Sequence, residues 1–125
     1  MPKTLGLLIF IGIAAALLAA PSSRSRTDDD VKNARQVNLV TMAKVYAQNE
    51  NRGHKAYRGR WVRVGATATR IGETLGTERV DTPMATLFFA SHVSTAALDP
   101  GDRIEATCRV AGYSMGSVVL KECRP

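Results

Sequence analysis

The sequence predicts a mainly β fold: a five-stranded barrel preceded by one long α-helix, with an N-terminal signal peptide or membrane anchor. Three observations predict it. An uncharged apolar run fills residues 5–20. An acidic triplet, Asp28, Asp29 and Asp30, opens a stretch with apolar residues at helical spacing. Beyond Gly53 the pattern changes to short alternating segments separated by turn residues. At 125 residues the chain is long enough for one domain with a modest core.

The apolar run would span about 24 Å as a helix. A straight anchor must cross roughly 30 Å of hydrocarbon, and a signal-peptide core is typically about 7–15 residues. The run lies between the two, so a cleaved signal peptide and an uncleaved anchor both stand. Ala20 and Ser22 fit a small-x-small cleavage site, and no cysteine precedes Cys108 to carry a lipid. Lys3 on one side and Arg24 and Arg26 on the other leave the orientation open. The expected divisions are residues 1–22 as signal peptide or anchor, 23–27 as tether, 28–52 as helix and 53–125 as barrel. The expected location is the periplasm, free or tethered to the inner membrane, with membrane contact through residues 5–20.

The elements follow in order. Thr27 is a candidate N-cap, and the three aspartates after it offset the helix dipole more simply than they would bind a metal. Val31, Ala34, Val45 and Tyr46, with Val37 and Met42 between them, form the apolar stripe, and Gly53 is the expected stop. In residues 57–72, "YRGRWVRVGATATRIG", Val62, Val64, Ala66 and Ala68 alternate with Trp61, Arg63, Gly65 and Thr67. This predicts a strand with small inward residues, bent near Gly65 around a narrow barrel. "IGETLGTE" reads as a loop, "RVD" as a short strand and "MATLFFAS" as an apolar strand. "HVSTAALDPGD" reads as a connector with one helical turn, and "RIEATCRVAGYS" and "SVVLKECR" as a closing hairpin. A two-residue turn at Met115 and Gly116 pairs Ser114 with Ser117, and counting outward puts Cys108 opposite Cys123. A cross-strand disulfide is therefore expected, and with it an oxidising compartment.

A helix followed by five strands, with a connector between the third and fourth, is the element order of an OB-fold. Tyr46 and Asn49, then Tyr57, Gly59, Val62, Val64 and Ile71, then Leu98, Gly101 and Asp102, and finally "VVLKEC", carry a further likeness over residues 43–123. They resemble the tRNA-anticodon-binding-like OB-fold family of bacterial exported proteins. The resemblance implies an OB scaffold and no particular ligand. Two positions depart from the family pattern. Gly65 comes one residue early, and Gly112 lies four residues after Cys108.

The net charge of +6 is local. Residues 52–72 hold six basic residues and no acidic one, whereas residues 73–125 hold more acidic residues than basic. Tyr57, Arg58, Arg60, Trp61, Arg63 and Arg70 are the candidate binding residues, cations for an anionic partner beside aromatics for stacking. No catalytic constellation, metal motif or cofactor motif is present: His54 and His92 stand alone, and Glu73, Glu78 and Asp81 read as solvated loop charge. The expected function is an exported OB-fold binding module of the cell envelope that takes a protein, peptide or small ligand. Single-stranded nucleic acid is the alternative, and a structural part of an envelope complex the third reading.

Overall fold

A computed structural model describes residues 27–125. The expected signal peptide or anchor and nearly all of the tether lie outside the described residues. The chain divides into two units, residues 1–33 and 34–125. Within the first, residues 27–32 lie in a helix, α1, that carries the acidic triplet, and Asn33 N–H donates to the Asp29 carbonyl at 2.9 Å.

In the second unit the single long helix of the sequence reading is broken. Residues Arg35–Gln36 form β1, Leu39–Gln48 form α2 and Glu50–Tyr57 form α3. The breaks have local causes. Asn38 and Asn49 each accept a backbone N–H at 3.1 Å from the residue three positions on, capping α2 and α3. Asparagine side chains that satisfy new helix starts compete with continuing the old helix. Gly53, expected to end a helix, sits inside α3, where its missing Cβ lets the helix close onto the Tyr46 ring.

The barrel strands are β2 (Trp61–Thr67), β3 (Arg70–Thr74), β4 (Thr77–Asp81), β5 (Ala85–Phe89), β6 (Arg103–Ser114) and β7 (Ser117–Arg124). Their order across the sheet is β1-β2-β6-β7-β5-β4-β3. Five strands were expected and seven form. One of the additions is β1, two residues paired in parallel with β2. The other arises because the first barrel strand is split. Ala68 N–H still donates to the Asp102 carbonyl on the β6 side, whereas Thr69 N–H donates to Asp81 at the end of β4. The chain thus changes partners between Ala68 and Thr69. One bent strand supplies β3 at one end of the sheet and β2, next to the short β1, at the other, which is how an OB barrel closes.

The bend lies at Ala68, which is buried, and not at Gly65. Gly65 has another role: the Arg103 guanidinium lies over it, as that of Arg79 lies over Gly72. Val62, Val64 and Ala66 point inward as the alternation predicts. They meet Val80, Leu87, Ala106, Val110, Val118 and Leu120 in a core roofed by Met42 and Tyr46 of α2.

"IGETLGTE" is a hairpin and not a loop, because Leu75 and Gly76 both take positive φ and turn the chain in two residues. The connector between β5 and β6 forms turns without a helix. Thr95 pins it: its N–H and hydroxyl both donate to Glu78 at 2.6 Å.

Cys108 and Cys123 are joined by a disulfide, with their Cα atoms 4.2 Å apart. The register between them is irregular twice. Ser114 pairs with Ser117 and Gly112 with Val119, but Val110 pairs with Leu120, so Ala111 is an extra residue on β6. Arg109 then pairs with Lys121 and Thr107 with Arg124, so β7 also holds an extra residue, at Glu122, whose φ is positive. One bulge on each strand cancels the other, and the cysteines still meet. The bulge at Ala111 accounts for the late Gly112.

Candidate functional site

Three surface regions have the chemistry to bind a ligand. The first is a cleft of about 480 Å³ on the outer side of the barrel, where Leu75, Phe88, Ser91 and Lys121 converge. Strand alternation sends Leu87 and Phe89 into the core and leaves Phe88 half-exposed on the outer face. Leu75 stands fully exposed at the β3–β4 turn. Lys121 is exposed on β7 and has no carboxylate partner among the described residues. The cleft is therefore an aromatic floor with an apolar tip at one side and a cation at the other.

The second region lies where α3 meets the β6 bulge, a recess of about 330 Å³ lined by Glu50, His54, Arg58, Gly112 and Tyr113. His54 is not a solvated loop residue. Its Nε2 lies 3.3 Å from Glu50, and its ring meets the Tyr46 ring edge-on at 5.4 Å. Tyr46 in turn stacks on Tyr113 at 5.3 Å. The Tyr46 hydroxyl and His54 Nδ1 are buried and have no hydrogen-bond partner. Burial pushes the Tyr46 phenol pKa above its usual value, although nearby Arg58 opposes the shift.

The third region is the outer face of β2, β6 and β7. Register places Trp61, Arg109 and Lys121 in one cross-strand row and Arg63, Thr107 and Arg124 in the next. Arg124 lies over the Trp61 ring, 5.2 Å from its centroid. Arg63 bonds Thr107 at 2.9 Å and lies 3.6 Å from Glu105, and Arg109 pairs with Glu122.

The candidate binding residues therefore separate. Tyr57 is half-buried against the core, with its ring 6.2 Å from that of Tyr46. Arg70 pairs with Asp81 at 3.3 Å, on the far end of the bent strand. Trp61 and Arg63 share the third face, while Arg58 and Arg60 are exposed and have no carboxylate partner among the described residues. Two of the carboxylates read as solvated are engaged. Asp81 takes both Arg70 and Arg79, and Glu78 holds Thr95. Those Thr95 hydrogen bonds keep the Glu78 carboxyl below its ordinary pKa. Sequence reasoning missed Leu75, Lys121, Arg109 and Arg124. Alternation could have found Phe88, but the rows across β6 and β7 depend on the two bulges.

Among the described residues no group of three or more His, Cys, Asp or Glu side chains could hold a metal ion. No helix among them is long and apolar enough to cross a membrane.

The fold has a known counterpart. A "putative nucleic acid-binding lipoprotein" from Klebsiella pneumoniae superposes with a TM-score of 0.58 at 18% identity, covering 78% of this chain and 95% of that one. Telomere capping protein Ten1 from Saccharomyces pombe gives a TM-score of 0.41 at 11% identity, covering 74% and 80%. The S. pombe Stn1-Ten1 complex gives 0.42 at 10%, covering 74% and 75%. The sequence has no match among curated proteins. The tRNA_anti-like family model matches residues 3–124, nearly the whole sequence, and the chain belongs to that family.

Proposed function

We propose that the protein is an exported OB-fold binding module of the cell envelope, acting by binding and not by catalysis. Its ligand is a peptide, a protein segment or a small molecule, held in the cleft over Phe88. The observation that carries this reading is the cleft itself: a half-exposed aromatic on the outer face of β5 between Leu75 and Lys121. The disulfide supports an oxidising compartment, and the apolar run at residues 5–20 supports export. OB-folds hold oligomers on this face between the loops joining strands one to two and four to five. Both loops here are two-residue turns, at Leu75–Gly76 and Met115–Gly116. They leave a cleft without tall walls, which suits an extended peptide or a compact ligand.

Single-stranded nucleic acid is the second reading. It is favoured by Arg58 and Arg60, which precede Trp61 in the chain, are exposed and have no carboxylate partner among the described residues. That reading requires binding that weakens steeply with salt.

A photo-crosslinking residue placed at Phe88 tests the first reading in whole cells. A discrete adduct that Leu75→Asp abolishes is expected. Absence of any adduct, or an adduct to nucleic acid, would overturn it.

A further inference from the structure

We propose that the outer face of β2, β6 and β7 seats the barrel on an anionic phospholipid surface. Three observations converge on it. The cross-strand rows gather Arg63, Arg103, Arg109, Lys121 and Arg124 on one side of the barrel, and among the described residues only Glu105 and Glu122 offset them. The excess charge therefore faces one way, as attraction to an anionic surface requires.

The aromatic content favours a lipid surface over nucleic acid. Binding of single strands needs open aromatic faces on which bases stack. This face offers one aromatic, Trp61, which is half-buried and already roofed by Arg124. An amphipathic indole beside arginines is instead the composition found at membrane interfaces.

The entry of the chain agrees. The backbone reaches the barrel through β1, which pairs with β2 opposite Val62 and Arg63. The apolar run at residues 5–20 precedes it, and an anchor there would hold the barrel close to the bilayer. The inference rests on the envelope setting proposed above and not on the ligand of the Phe88 cleft.

Trp61 is the sole tryptophan of the chain, so its fluorescence reports on this face alone. The full chain would be mixed with vesicles of phosphatidylcholine, or of phosphatidylcholine with phosphatidylglycerol, and quenched with neutral acrylamide. Quenching of Trp61 should fall on the anionic vesicles only and recover in about 1 M salt, where the Debye length is about 3 Å. The double substitution Arg103→Gln with Lys121→Gln should weaken binding to the anionic vesicles by roughly tenfold or more. Equal shielding on both vesicle types would overturn the proposal, because an apolar segment alone would produce it. Shielding by a single-stranded oligonucleotide without shielding by anionic vesicles would overturn it in favour of nucleic acid. Failure of the cleft reading appears as a missing adduct at Phe88 and leaves the Trp61 signal unchanged, so the two proposals fail separately.

Discussion

At the scale of single residues the joint between helices and barrel depends on Tyr46. It is buried against Met42, Gly53, His54 and Tyr113, yet its hydroxyl has no partner. The ring and the hydroxyl should therefore behave oppositely. Alanine inside a helix normally gains about 0.5–1 kcal/mol over glycine. At Gly53 its Cβ would instead land on the Tyr46 ring, which is held by its neighbours. Gly53→Ala should destabilise the domain by about 1–3 kcal/mol, the usual cost of overpacking. Tyr46→Phe removes an unsatisfied donor and should leave the melting temperature unchanged or higher. A thermal melt of both variants checks the pair; a large loss in Tyr46→Phe would mean that the hydroxyl has a partner. Glu78 gives a pH-dependent counterpart. Its folded pKa lies below the unfolded value because Thr95 donates to the carboxylate twice. Its contribution is full above the unfolded carboxylate pKa and is lost as pH falls through the lowered folded value. Between those values Glu78→Gln should flatten the acid-side fall in stability. An unchanged pH profile in denaturant titrations would show that Thr95 does not hold the carboxylate.

At the scale of elements the closing hairpin carries the most information. Strands β6 and β7 span 103–114 and 117–124, the bounds expected from alternation and the Met-Gly turn. The register expected between them holds near the turn and again at the far end, but not between. The irregular middle bends the strands around the barrel, as β-bulges do. The disulfide then locks the far end. It closes a 15-residue separation, worth roughly 3 kcal/mol by chain entropy. Replacing both cysteines with alanine should lower stability by about that amount, and reductant should have the same effect on wild type but none on the variant. A melting temperature insensitive to reductant would show that the bridge contributes nothing to stability.

At the scale of the whole molecule every buried residue of the hydrophobic core among the described residues lies between Leu39 and Cys123. Residues 34–125 also hold the disulfide and all seven strands. This segment, produced alone under oxidising conditions, should fold and melt in one cooperative transition. Calorimetry showing a broad, non-cooperative melt would mean that residues before Ala34 are needed.

Local order in this protein can be read from its residues alone. Alternation in residues 61–68 decided which side chains face inward, because the side-chain period of a strand is two whatever its neighbours. The turn at Met115 and Gly116 was legible, as was the cysteine pairing beyond it. The basic stretch was legible as charge but not as a site. Whether Arg63 meets Glu105, Arg70 meets Asp81, or Arg58 meets no carboxylate depends on strands far away in sequence. Long-range pairing makes residues 70–81 a hairpin and splits the first strand at Ala68. It also makes Phe88 and Leu75 share a cleft. The reason is physical: closing a barrel depends on which distant backbone groups pair, and local periodicity carries no record of that choice.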